Sequence, residues 1–221
     1  MYAKTTFSLF LCLLVMFFQS CELSPDGEEY GNGSPILVPN HSFESPDTLR
    51  SGDDGLLQQV DDWVEGGTWY GRFFWADGVP NGHQAVWSSA DYQGPIPDNG
   101  FSQALGAVFE VGRYTLNVMA LGDNTSGLTS RIIRGYESDD GRHLMLGESL
   151  QAITKASDYP EDHDYRDDWF DQQLVVEVVD GSPAIGKPIW IRMTSATNAN
   201  GEGGNSCWWD NVRLTVERPI N

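Results

Sequence analysis

Hydrophobic and polar residues alternate in short runs from residue 35 onward, which predicts strands rather than helices. The clearest run covers residues 114–120, where Tyr114, Leu116, Val118 and Ala120 share one face. Turn-forming Gly, Pro, Asn and Asp separate the runs. The predicted strands are residues 36–38, 42–44, 84–87, 101–105, 114–120, 131–134, 143–146, 173–179, 189–194 and 208–216. This pattern predicts an all-β domain, an antiparallel β-sandwich of the jelly-roll type.

The first residues of the chain follow a different pattern. Lys4 precedes a short apolar run at residues 7–18, which is too short to span the ~30 Å core of a bilayer comfortably. It predicts a signal peptide over residues 1–20. Cys21 follows a small residue, as in lipoproteins whose new N-terminal cysteine carries the lipid; an ordinary signal peptide is the alternative. We therefore expect a lipid-anchored protein at the outer membrane or cell surface, with the lipid as its one membrane anchor.

The rest of the chain divides into three parts. Residues 21–34 are rich in acidic residues, Gly, Pro and Ser, which predicts a flexible tether. The folded domain is expected at residues 35–217, and residues 218–221 form a C-terminal tail. Within that domain Cys207 is the one cysteine, so an internal disulfide is excluded and stability must come from a conventional core.

Composition narrows the classes of partner. The chain has 32 acidic and 13 basic residues and a formal net charge of −19. A negative field of this size repels phosphate backbones, so a nucleic-acid partner is not expected. A hydrophobic content of 40% and an aromatic content of 12% predict a packed domain rather than a disordered acidic chain.

The order of short motifs resembles a known family. The segments that carry the resemblance are residues 40–46 (NHSFESP), 80–87 (PNGHQAVW), 101–105 (FSQAL), 112–116 (GRYTL), Trp169, and 209–214 (WDNVRL). Together they are similar to the galactose-binding-like jelly rolls, which include carbohydrate-binding modules of the family 4 and family 9 types. The resemblance covers most of residues 35–217 and implies two antiparallel sheets. It also implies that Trp169 and Trp209 belong to the core.

The same resemblance implies a structural calcium ion near the chain ends. In the related modules, the glutamate of the opening motif and the aspartate of the closing motif supply carboxylates. These are Glu44 and Asp210 here, and the carbonyl oxygen of Ser42 is a further candidate ligand. The alternative is that both carboxylates only cap strand ends through hydrogen bonds.

Aromatic residues concentrate in residues 63–75, where glycines favour a loop over a regular strand. Aromatic side chains on a loop suit stacking against sugar rings. Trp63, Phe73 and Phe74 are equally consistent with core packing. The candidate ligand-binding residues are Trp69, Tyr70 and Trp75 for stacking, Glu65, Arg72, Asp77 and Gln84 for hydrogen bonds, and Trp87 and Tyr92 along the same cleft.

The most acidic stretch, residues 155–171, allows three interpretations. A solvated loop is the ordinary one. A second calcium site would use Asp162, Asp164, Asp167 and Asp168. A polysaccharide lyase centre would use Tyr159, His163, Tyr165 and Arg166.

The function that this pattern favours is a noncatalytic surface lipoprotein that binds a polysaccharide or oligosaccharide, beside glycan-degrading enzymes. No catalytic residue is assigned, because the chain has no nucleophile elbow, zincin motif or phosphate loop. Two alternatives remain open: a lyase or glycoside hydrolase on a jelly roll, and a structural or adhesive domain that binds protein.

Overall fold

The computed structural model describes residues 30–45, 60–66, 70–74, 79–89, 100–123, 129–152, 169–196 and 206–220. The predicted signal peptide and Cys21 lie outside these residues, so both remain predictions. Residues 155–168 of the acidic stretch also lie outside them. No helix in the described part of the chain is long and apolar enough to cross a membrane.

The described residues form two antiparallel sheets, as the alternation predicted. The strands are β1 (Ser34–Ile36), β2 (Val64–Gly66), β3 (Tyr70–Phe74), β4 (Gln84–Ser89), β5 (Gly100–Val108), β6 (Gly112–Asp123), β7 (Thr129–Glu137), β8 (His143–Ala152), β9 (Phe170–Val178), β10 (Pro188–Ala196) and β11 (Ser206–Glu217). One sheet has the order β3-β4-β11-β6-β9, with β1 also paired to β11, and the other has the order β2-β5-β10-β7-β8. The all-β sandwich is confirmed.

Two local predictions are corrected. Residues 42–44 form part of a turn region instead of a strand, and Phe43 has a positive φ of 57°. The aromatic segment is not one loop, because its glycines lie within or beside the short strands β2 and β3. Both strands pair with longer neighbours, and that tertiary pairing outweighs the weak strand propensity of glycine.

The core lies between the facing sides of the two sheets. The alternating residues Tyr114, Leu116, Val118 and Ala120 are all buried there, as their shared face predicted. Trp209 is fully buried among them, which confirms its predicted packing role. Trp63 also belongs to the core, where it packs against Phe43 with ring centroids 5.1 Å apart.

Side chains also close one side of the sandwich. Gln172 of β9 donates from Nε2 to the Ser149 carbonyl of β8 over 3.1 Å, and Arg134 Nη2 donates to the Val176 carbonyl over 3.2 Å. The first bond joins the edge strands of opposite sheets, and the second joins the edge strand β9 to β7, the neighbour of the other edge. They also give edge backbone a partner within the molecule, which limits edge-to-edge aggregation.

A buried arginine in the core is a feature that the sequence did not predict. The Arg134 side chain is fully buried, and its guanidinium carbon lies 4.8 Å from the Tyr114 ring centre and 5.8 Å from that of Phe109. Burial lowers the pKa of Arg134 to about 9. The two aromatic faces supply the cation–π attraction that offsets part of its desolvation.

We expect Gly100→Ala to destabilise the fold by roughly 1–3 kcal/mol. Gly100 has a φ of +90°, and an added Cβ would lie 1.9 Å from the Met193 carbonyl oxygen. Gly106→Ala in the same strand is the matched control, because its Cβ would meet no atom within 4 Å. Urea unfolding compares the two; equal stability of both variants would contradict the expectation.

Candidate functional site

A groove runs across the outer face of the five-stranded sheet. Trp190 of β10 pairs with Gly135 of β7, which in turn pairs with Met145 of β8. Directly paired residues project to the same face of a sheet. An added Cβ at Gly135 would lie 2.1 Å from the Leu144 carbonyl oxygen, so β7 and β8 approach closely here and backbone forms the floor between Trp190 and Met145. The described lining is Ser102, Ile133, Gly135, Tyr136, His143, Met145, Trp190, Ile191 and Arg192.

The period of β10 explains why Trp190 faces outward. Its neighbours Ile189 and Ile191 are fully buried in the core, so Trp190 must project from the other face. Trp190 is half-buried, and Met145 has an exposed fraction of 41%. The groove therefore offers an aromatic face and a thioether, two surfaces that suit a flat ring.

One end of the groove carries a polar pair. Arg192 Nη2 lies 2.9 Å from His143 Nδ1, and the His143 ring lies against Trp190 with centroids 5.1 Å apart. A guanidinium has donors and no acceptor, so His143 Nδ1 must accept this hydrogen bond. In the neutral imidazole the proton then resides on Nε2. His143 is consequently held as a hydrogen-bond donor through Nε2.

A second feature lies at the bulge in β11. Its register with β6 shifts between Asp210 and Arg213, and Asn211 adopts a φ of 51°. A bulge re-aims side chains relative to a regular strand. The fully buried Asp210 carboxylate accepts hydrogen bonds from the Asn81 N–H over 2.7 Å and the Asn211 N–H over 2.6 Å.

Glu44 binds the same loop from the other side. Its Oε1 accepts from the N–H groups of His83 and Gln84, each over 2.7 Å. A Cβ at Gly82 would lie 2.3 Å from this oxygen, so the loop needs glycine there. Burial raises the pKa of Asp210 to about 7, and the nearby Glu44 charge adds to the rise. Glu44 and Asp210, the two carboxylates expected to bind one calcium ion, are thus close enough for the charge of Glu44 to act on Asp210.

Glu44 and Asp210 supply only some of the ligands that a calcium ion needs, as far as the described residues show. No group of three or more His, Cys, Asp or Glu side chains that could hold a metal occurs there. Calcium also accepts carbonyl oxygens, so two carboxylates with backbone ligands are chemically sufficient. Ser42, the third expected ligand, is half-buried in the adjacent turn.

No sequence-predicted ligand residue with a described side chain lines the groove. Trp69, Trp75, Asp77 and Tyr92 lie outside the described residues. The backbones of Glu65, Tyr70 and Arg72 lie in β2 and β3, and their side chains are outside the description. These residues remain predictions.

Two predicted ligand residues have described side chains. Gln84 is fully buried and its Nε2 lies 3.4 Å from the Phe43 carbonyl oxygen, which is not the exposed position expected of a ligand-binding amide. Trp87 is half-buried and pairs with Trp208 on the six-stranded sheet. Trp87 therefore belongs to a different sheet from the groove.

Sequence reasoning missed Trp190, His143 and Arg192 as a site. The one available signal was the alternation around Trp190, which requires either the isoleucines or the tryptophan to face outward. Nothing in the sequence placed His143 beside Arg192, because they are far apart in the chain.

Comparison with known proteins identifies the family. Residues 34–215 match the family model HpiC1-like, described as HpiC1 cyclase. No curated protein sequence matches the chain.

Solved structures share the fold at low sequence identity. A Stig cyclase, Fisc, from Fischerella sp. TAU in complex with (3Z)-3-(1-methyl-2-pyrrolidinylidene)-3H-indole is 16% identical, with 86% of this chain and 100% of that chain covered and a TM-score of 0.57. A cyclase from Fischerella sp. TAU in complex with 4-(1H-indol-3-yl)butan-2-one is 17% identical, with coverages of 85% and 100% and a TM-score of 0.58. The CBM22-1 xylan-binding domain of Paenibacillus barcinonensis Xyn10C is 13% identical, with coverages of 85% and 97% and a TM-score of 0.50.

These findings correct the functional prediction. The predicted noncatalytic glycan-binding function is wrong, because the family model that matches is that of a cyclase. The lipid anchor and the surface location remain predictions. The likeness to carbohydrate-binding β-sandwich domains is confirmed at the level of the fold, although the domain found is of the CBM22 type and not of the family 4 or 9 type. Since the family match covers residues 34–215, this chain belongs to the HpiC1-like family.

Proposed function

We propose that this protein is a cyclase-type enzyme that closes a ring in a small aromatic substrate bound in the groove over Gly135. The observation that carries the proposal is the match of residues 34–215 to the HpiC1 cyclase model. The groove supports it, since its described lining combines an aromatic face, a thioether and a polar pair.

The groove offers contacts to a flat ring that lies on its surface. A ring laid over Gly135 would contact Trp190 on one side and Met145 on the other, across the three paired strands. Each such aromatic contact contributes about 1 kcal/mol beyond the area that it buries. His143 and Arg192 then stand at one end of the ring, where a polar substituent would lie.

The proposal predicts that Trp190→Ala weakens ligand binding at least about tenfold, as expected for the loss of a stacking face worth over 1 kcal/mol. The probe is 4-(1H-indol-3-yl)butan-2-one, the compound bound by the Fischerella cyclase. Isothermal titration calorimetry measures its Kd. Trp87→Ala is the matched control on the other sheet and should bind as the wild type does.

Two results would contradict the proposal. The first is a wild-type protein that binds soluble xylan but not the indole. The second is an indole Kd that Trp190→Ala leaves unchanged.

We also infer that calcium binds beside Glu44 and Asp210 and stabilises the fold. The support is a fully buried carboxylate whose pKa is raised by burial and by a second carboxylate. Such a pair gains most from a hard divalent cation, which would supply charge compensation and hold the loop at residues 79–83 against β11.

A further inference from the structure

We propose that His143 donates a hydrogen bond from Nε2 to an acceptor atom of the substrate, and that Arg192 is the positioning residue that fixes the donating tautomer. This inference rests on the proposed function, because it assigns the polar contact made by a ring bound over Gly135. His143 and Arg192 are distinct from Glu44 and Asp210, the carboxylate pair that the sequence resemblance indicated.

The contacts of His143 leave one nitrogen to face a ligand. Its ring lies against Trp190 at 5.1 Å with an interplanar angle of 37°, and its Nδ1 accepts from Arg192. His143 is half-buried at the edge of the groove. Among the described residues no hydrogen bond to Nε2 occurs, and an imidazole held in this way on its other two sides is oriented as a binding or catalytic histidine requires.

Arg192 is suited to the positioning role. Arg192 is 6% exposed. It pairs with Ser102 of β5 and Ile133 of β7, and its guanidinium contacts His143. A guanidinium is always charged and never accepts a hydrogen bond, so its contact permits a single tautomer of neutral His143.

Two acidic residues lie on the strands beside this pair. Glu137 pairs with His143, and Glu148 pairs with Ile133; both side chains are exposed. Neither lines the groove, and the described lining contains no acidic residue. A substrate acceptor would therefore meet donors at this end of the groove.

The donor has a direct chemical use in ring closure. A hydrogen bond to a carbonyl or imine acceptor draws electron density toward that acceptor, and the attached carbon becomes more electrophilic. An electron-rich ring carbon held beside it by Trp190 then forms the new carbon–carbon bond as the π bond to the acceptor breaks and its electron pair moves to the acceptor atom. The acceptor takes up a proton at the His143 side, and the ring carbon loses its proton to water, so protons and electrons balance. A donor placed where charge develops is worth most in a site that excludes water.

The first experiment compares two ligands that differ in one acceptor group. The probes are 4-(1H-indol-3-yl)butan-2-one and 3-butyl-1H-indole, which lacks the carbonyl. We expect the ratio of their Kd values to shift against the ketone by about fivefold in His143→Phe, the fold-change of one lost hydrogen bond. Phenylalanine keeps the ring against Trp190, so the Kd of 3-butylindole should change less than about twofold.

The second experiment reads the tautomer itself. Nitrogen-15 NMR of histidine-labelled protein should show His143 protonated on Nε2 in the wild type. Arg192→Met should give a mixture of tautomers and the same loss of ketone preference, and Arg192→Lys should restore both in part. A structural role alone would leave the tautomer ratio unchanged.

The outcomes separate the two proposals. Failure of both indoles to bind the wild type would overturn the proposed function, and the inference with it. Binding of both indoles through Trp190, with a ratio that His143→Phe does not change, would leave the proposed function standing and overturn the inference.

Discussion

In buffer free of divalent cations, the titration of Asp210 should lower the free energy of unfolding as the pH rises from about 4 to about 7. Asp210→Asn should abolish this contribution. Burial raises the pKa of Asp210 from 3.8 to about 7 in the folded protein. Between these values the folded state binds a proton that the unfolded state has lost, so rising pH favours unfolding. The effect is absent below pH 4, complete near pH 7, and amounts to at most about 4 kcal/mol.

Urea unfolding at several pH values in the presence of a chelator measures this effect. The quantity that matters is the stability of the wild type minus that of Asp210→Asn, because this difference cancels the other titrating groups. Asp180→Asn, at an exposed position, is the control and should follow the wild type. A difference that does not vary with pH would contradict the assignment.

Calcium should reverse the trend. The ion favours the charged carboxylates, so in its presence the wild type should gain stability as the pH rises toward 7. Asp210→Asn should gain much less. If calcium changes the melting temperature of neither protein, the calcium site is wrong, while the pH effect of the buried carboxyl stands on its own.

Trp209→Ala should lower the free energy of unfolding by about 3–5 kcal/mol, whereas Trp190→Ala should lower it by less than about 1.5 kcal/mol. Trp209 is fully buried between the sheets, so truncation leaves a large cavity in packed surroundings. Trp190 is half-buried on the outer face, and water can fill the space that its side chain leaves.

Trp209→Ala and Trp190→Ala make the same chemical change at a core position and at a groove position. Comparing them distinguishes a loss of stability from a loss of binding. Trp209→Phe is the control for the first variant and should recover most of the loss, because a large ring still fills the site. Urea unfolding of all three measures the difference. Equal destabilisation by the two alanine variants would show that Trp190 is a core residue, and the groove would lose its aromatic wall.

The sequence could predict the sandwich because alternation is a local signal. The run from Tyr114 to Ala120 assigned a buried face to β6, and that face is buried in the structure. The adjacent tryptophans Trp208 and Trp209 had to face opposite ways in a strand, and Trp209 alone belongs to the core cluster. Such inferences need only the period of a strand.

The groove could not be predicted in this way, since it depends on register between distant strands. Gly135 lies on the floor of the groove only because Trp190 and Met145 pair with it from either side. Register is set by the whole sheet, and no local pattern reports which residues become cross-strand neighbours. The aromatic cluster at residues 63–75 drew attention by composition, which says nothing of the face or sheet on which side chains lie.

The central claim is that the groove over Gly135 binds an aromatic substrate, and an NMR titration tests it most directly. The chain has eight tryptophans, whose indole N–H signals can be assigned by single substitution. On addition of 4-(1H-indol-3-yl)butan-2-one, we predict that the Trp190 and His143 signals shift together and saturate, while that of the buried Trp209 stays in place. Saturable shifts confined to Trp87 and the six-stranded sheet, or the absence of any saturable shift, would contradict the account.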